Sequence, residues 1–143
     1  MKLLVVFDGS DDGFEGLRFA AGVLAGKGTH EATLAVFGWP PRVSPLWDKI
    51  FSAQVVLDDL HRSMAEIASR ELERVKKLFE PLGKAATHYA EGDPIDEMER
   101  LIGDLKPDLV LVGLTRGRHR EVVLGTVAQV IGKTKVPTFV TFG

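Results

Sequence analysis

"DLVLVGLTRGRHREVVLGTVAQVIG", residues 108–132, decides the fold. Residues 108–113 are a short, almost wholly apolar run, which as a strand must be buried on both faces. Gly113 and Gly117 then punctuate a basic stretch holding Arg116, Arg118, His119 and Arg120. Gly125-Thr126 opens an apolar run of helical character, expected from about 126 to 133. Strand, glycine-bearing loop and helix in that order are the unit of a parallel sheet wound with helices.

The rest of the chain repeats the unit. KLLVVF, residues 2–7, is an apolar run ended by Asp8-Gly9-Ser10, hence a buried strand and a loop. Leu17, Ala20, Ala21 and Leu24 recur at helical spacing over 12–24, with Asp11 or Asp12 as candidate N-cap and Gly26 and Gly28 as the stop. ATLAVFGW, residues 32–39, reads as the second strand. Residues 40–56 hold three prolines and then Trp47, Ile50 and Phe51, a loop with a short amphipathic turn. Those three side chains form either a satellite core or a lid. A long helix from about 57 to 80 has Leu57, Leu60, Met64, Ile67, Leu72, Val75, Leu78 and Phe79 as its apolar stripe. Pro81-Leu82-Gly83 stops it. ATHYAEG, residues 86–92, is a less apolar strand and belongs nearer an edge. Asp93-Pro94 starts the third helix: Asp93 caps it, and Pro94 takes the first position, where no N–H is needed. VPTFVTF, residues 136–142, is the last strand. Strands alternating with amphipathic helices predict one α/β domain over 1–143, a five-stranded parallel sheet with helices on both faces.

Composition bounds the function. Of 143 residues 45% are apolar, enough for a real core. A formal charge of -2 argues against a general nucleic-acid binder. With no Cys, thiolate catalysis and Cys-bearing zinc sites are excluded. The first apolar run is too short for a membrane span and lacks a signal-peptide pattern, so a cytoplasmic protein is expected. The four His show no metal spacing and no triad partner, so neither metal ligands nor catalytic residues are assigned.

Open parallel sheets bind ligands outside the carboxyl ends of their strands, where the strand order reverses. Here that crevice lies between the first and fourth strands, flanked by Asp8-Gly9-Ser10 and by residues 113–117. Glycines let backbone N–H groups approach an anion, a helix start at Gly125-Thr126 adds unpaired N–H groups, and the arginines add charge. That pattern fits a phosphate. It also fits a turn with a Thr126 N-cap and solvated arginines, and Asp8 also fits a helix cap or an Asx-turn closed on Ser10.

Five segments in this order resemble the universal stress protein family: LLVVFDGSDDGFEGLRFA, ATLAVFGWP, YAEGDPIDEMERLI, KPDLVLVGLTRG and VLGTVAQVIGKTKVPTFV. The resemblance implies a Rossmann-like adenine-nucleotide fold with sheet order 3-2-1-4-5 and a homodimer, often through the last strand. It implies ATP, with Mg²⁺ accompanying the nucleotide, in a stress-response sensor or switch, or else a nucleotide-free interaction module. It places Asp8 near the adenosine, with Gly9 and Ser10 beside it, and the backbone of Val36 at the adenine edge. Gly113, Gly125 and Thr126 fall on phosphate-side positions, Val127 adds a backbone position, and Gly117 matches after a one-residue shift. The family's nucleotide binders carry Gly, two residues, Gly, nine residues, then Gly with Ser or Thr. Here the intervals are three and seven, and Arg116 stands where the second glycine should be. Arg118 and Arg120 are added on charge alone. No general base is apparent, so any hydrolysis should be slow. Asp8, Asp11 and Asp12 also resemble the acidic cluster of a receiver domain, but Val136 rather than Lys precedes Pro137, and Asp93 reads as a cap.

Overall fold

The computed structural model describes residues 1–37, 60–90, 93–117 and 120–142, with the side chains of 60–63, 120 and 122 outside that description. The expected turn with Trp47, Ile50 and Phe51 lies outside the described residues. In chain order come β1 (Lys2–Phe7), α1 (Asp11–Leu24), β2 (His30–Phe37), α2 (Leu60–Phe79), β3 (Gly83–Ala90), α3 (Pro94–Leu105), β4 (Leu109–Leu114), α4 (Arg120–Ile131) and β5 (Thr138–Phe142). A short 3-10 turn, Glu80–Leu82, joins α2 to β3. The five strands form one sheet, order β3-β2-β1-β4-β5, and every pairing is parallel.

The alternation of side chains along a strand splits the core in two. Leu3, Val5 and Phe7 of β1 face α1 and α2 and join Leu17, Leu24, Ile67, Leu72, Val75 and Phe79. Leu4 and Val6 face α3 and α4 and join Met98, Leu101, Val123, Val127 and Val130. Right-handed crossovers produce this layering: α1 and α2 return the chain one way along the sheet on one face, α3 and α4 the other way on the opposite face. The direction reverses between β1 and β4.

Helix α1 lies unusually close to the sheet because its buried face is small. A Cβ on Gly13 would stand 2.8 Å from the Gly113 carbonyl oxygen, and one on Gly16 would stand 2.5 Å from Thr141 Oγ1. Arg74 ties α2 to α1: its guanidinium lies 3.9 Å from the Phe14 ring centroid and contacts Asp11 at 3.2 Å and Glu71 at 3.1 Å.

Several boundaries differ from the sequence reading. The N-cap of α1 is Ser10, not Asp11 or Asp12: its hydroxyl accepts from Gly13 N at 2.9 Å, and the two acids occupy the first turn. Strands β2 and β3 each begin two or three residues earlier than expected, since His30 and Gly83 already pair with each other. As expected, Asp93 caps α3, accepting from Ile95 N at 2.8 Å. The largest difference is α4, which begins at Arg120 rather than at Thr126.

Candidate functional site

The register of the sheet assembles the site. Phe7 of β1 pairs with Val36 of β2 on one side and Gly113 of β4 on the other. Residues following those three positions therefore converge at the carboxyl edge, where the winding reverses. Asp8 is the first residue beyond β1 and Thr115 the first beyond β4.

Asp8 is fully buried. Its Oδ1 accepts from Ser10 N at 2.9 Å and from Ser10 Oγ at 2.5 Å, and its Oδ2 accepts from Thr115 N at 2.7 Å. Burial pushes the Asp8 carboxyl above the usual aspartate value. The donors from Ser10 and Thr115 pull the other way, and the nearby Asp12 charge adds to the rise. Gly9, between them, has φ 86°, a left-handed conformation that glycine adopts without strain. The Asx-turn closed on Ser10 is thus realised, and Asp8 also clamps the β4 end to the β1 end.

Beyond β4 the next two N–H groups are likewise engaged. Arg116 N donates to Asp12 Oδ2 at 2.9 Å, and Gly117 N donates to Thr115 Oγ1 at 2.9 Å. The Arg116 guanidinium lies 5.3 Å from the Phe142 ring centroid, linking the loop to β5. Thr115 is buried, whereas Arg116 and Gly117 are exposed.

The sequence-derived positions divide between this cluster and the elements behind it. Asp8, Gly9, Ser10, Arg116 and Gly117 come together, and Val36 and Gly113 lie in the row of residues just beneath. Gly113 is a packing glycine: a Cβ there would stand 2.5 Å from Gly13 O and 2.6 Å from Leu17 Cγ. Gly125, Thr126 and Val127 lie inside α4. The N–H groups of Gly125 and Thr126 are spent on the helix's own i to i−4 ladder, so the expected helix start there is replaced by the first turn from Arg120. The Val127 side chain is core. Arg118 lies outside the described residues. Among the described residues no group of three or more His, Asp or Glu could hold a metal ion.

Sequence reasoning missed Thr115, Gly13 and the role of Asp12. Thr115 carries a signal in hindsight, being the polar residue that ends an apolar strand directly across from Asp8-Gly9-Ser10. From the sequence Asp12 reads as a candidate cap and as one of an acidic cluster, not as a partner of the β4 loop.

Comparison with known proteins places this geometry. The model of the universal stress protein family matches residues 1–141. No curated protein sequence matches the chain. The solved structure of hypothetical protein MJ0577 superposes with a TM-score of 0.69 at 21% identity, covering 98% of this chain and 94% of that one. A universal stress protein family protein from Arabidopsis thaliana with AMP bound gives 0.65 at 19% identity, covering 98% and 90%. The universal stress protein from Archaeoglobus fulgidus in complex with dAMP gives 0.61 at 16% identity, covering 99% and 97%. At these identities the likeness establishes the fold, and the sheet order β3-β2-β1-β4-β5 of this chain is the 3-2-1-4-5 order that the family resemblance implies. With its family match spanning almost its whole length, the chain belongs to the universal stress protein family.

Proposed function

We propose that the chain binds an adenine nucleotide at the carboxyl ends of β1 and β4. The observation that carries this reading is the row of three consecutive backbone N–H groups, at 115, 116 and 117, presented at the point where the sheet reverses and all engaged by oxygens. Of the three, Arg116 N, whose partner Asp12 lies at the surface, can exchange that carboxylate for a phosphate oxygen, and the exposed Arg116 side chain and the first turn of α4 add positive charge beside it. Relatives of the same fold hold AMP and dAMP. Asp8, Gly9 and Ser10 stand on the adenosine side with the Val36 backbone, and Arg116 and Gly117 on the phosphate side, with Arg118 assigned to the phosphate on its charge alone. Gly113 acts by letting α1 close on the sheet behind the site, Gly125 and Thr126 contribute as part of α4 rather than by donating N–H groups, and Val127 fixes α4 to the core. ATP with Mg²⁺ is the cellular ligand in this reading. The protein serves as a cytoplasmic sensor or switch in stress response, built as one domain, with hydrolysis slow at most.

Titration calorimetry with AMP, and with ATP plus Mg²⁺, tests this. Binding is expected at micromolar to millimolar nucleotide, and Arg116→Glu abolishes it while the circular dichroism spectrum stays unchanged. Absence of heat at millimolar nucleotide overturns the reading.

A second reading, an interaction module that takes no nucleotide, is favoured by one observation: the N–H groups at 125 and 126 are closed inside α4. Either reading includes a homodimer through β5, with no nucleic-acid or membrane partner. Among the described residues no helix is long and apolar enough to cross a membrane.

A further inference from the structure

The donor row is not open. Thr115 N is held by the Asp8 carboxylate, Arg116 N by the Asp12 carboxylate and Gly117 N by the Thr115 hydroxyl. Two of these three acceptors belong to the permanent framework. Asp8 is fully buried and ties three donors together, and Thr115 is itself buried. Asp12 differs. It sits in the first turn of α1, only half-buried, and its bond to Arg116 N lies at the surface. A carboxylate and a phosphate compete for the same kind of charge-assisted bond from a backbone N–H.

We propose that Asp12 is a built-in competitor for the nucleotide's phosphate, occupying the Arg116 N–H until a ligand displaces it and so setting the affinity of the site. This rests on the nucleotide reading above. The exchange is feasible because Asp12, once displaced, stays within the first turn of α1, where the helix dipole favours a negative charge. The ligand therefore replaces one anion by another instead of filling an unmet donor. A weak grip on a single phosphate follows, and a ligand able to engage the Arg116 side chain as well as its N–H gains the advantage.

Calorimetry on the full chain, with AMP and with ATP plus Mg²⁺ at fixed ionic strength, separates this from a general charge effect. Asp12→Ala removes both acceptor and charge; Asp12→Asn removes the charge but keeps a carbonyl that can accept from Arg116 N. Asp11→Asn removes a charge from the same turn without touching the loop. Asp12→Ala is expected to bind about tenfold tighter than the parent, a change of the size one charge-assisted bond commands. Asp12→Asn should fall between, and Asp11→Asn within about twofold of the parent, as a solvent-screened charge should. Equal finite affinity of the parent and Asp12→Ala overturns the proposal and leaves the nucleotide reading standing, as does an equal rise in Asp12→Ala and Asp11→Asn. Heat from neither the parent nor Asp12→Ala overturns both. Should Asp12→Ala fail to fold, Asp12→Asn carries the same comparison: affinity no tighter than in Asp11→Asn counts against the proposal.

Discussion

Two glycines that look alike in the sequence do different work. Gly113 lies in β4, where any Cβ would meet the Gly13 carbonyl oxygen at 2.5 Å and Leu17 Cγ at 2.6 Å. The first of these is backbone and cannot swing aside, so α1 must lift from the sheet. Gly113→Ala should destabilise the fold by about 1–3 kcal/mol, the usual range for overpacking. Gly125 sits in the interior of α4, exposed, with nothing within 4 Å of a Cβ. Alanine there relieves the entropic penalty of glycine in a helix and should stabilise by about 0.5–1 kcal/mol. Urea unfolding of the two variants checks this. The expected midpoints move in opposite directions with unchanged slope; a Gly125→Ala midpoint below the parent's would contradict the helix at that position. The motif spacing alone treats both glycines as parts of one loop. Only the packing of α1 tells them apart, because what crowds Gly113 is Gly13, which lies a hundred residues away in the sequence.

At the scale of elements, much was legible because burial writes itself into residue type. LVLV in β4 and LLVV in β1 are buried on both faces, and only a central parallel strand asks for that. The less apolar β3 proved to be an edge. What was not legible was where α4 starts. Gly125-Thr126 has the look of a helix beginning, yet the helix is already running, since an internal glycine is tolerated when neighbours such as Val123 and Val127 bury their side chains. The caps were half legible. Asp93 is a simple cap, exposed and bonded to Ile95 N, so Asp93→Ala should lose about 1 kcal/mol. Ser10 caps α1 with the same hydroxyl that donates to the buried Asp8 carboxylate. Ser10→Ala loses the cap and also strips a charge-assisted donor from a buried anion, a further loss of about 1.5–3 kcal/mol. Chemical denaturation of both variants should rank Ser10→Ala as clearly the more damaging. Equal losses would show that the Ser10–Asp8 bond adds nothing beyond the cap.

For the whole molecule the decisive surface is the edge strand β5. It ends the sheet, so one of its rows of backbone donors and acceptors meets no described strand. Phe139 on this strand is 50% exposed. Phe139 shares a face of the sheet with Thr141, which touches Gly16 of α1, and farther along that helix Phe19 and Val23 are 67% and 50% exposed. An apolar ridge beside an unpaired edge is the arrangement that soluble proteins otherwise avoid. A second copy satisfies both features at once: two β5 strands related by a two-fold axis pair their edges, and each Phe139 is shielded by the other chain. The charged residues beside the ridge, Glu15 and Arg18, are of opposite sign and contact each other at 3.6 Å, so the surface favours neither an acidic nor a basic partner and suits its own copy. Light scattering should give twice the 15.6 kDa chain mass for the parent and the single mass for Phe139→Lys, with unchanged circular dichroism. A parent that runs as a monomer at high micromolar concentration would remove the dimer from the proposed function. Because Phe142 lies on the same strand and meets the Arg116 guanidinium, a dimer through β5 would also hold one wall of the proposed nucleotide crevice in place. The monomeric Phe139→Lys should therefore bind nucleotide more weakly than the parent, though its own crevice residues are untouched.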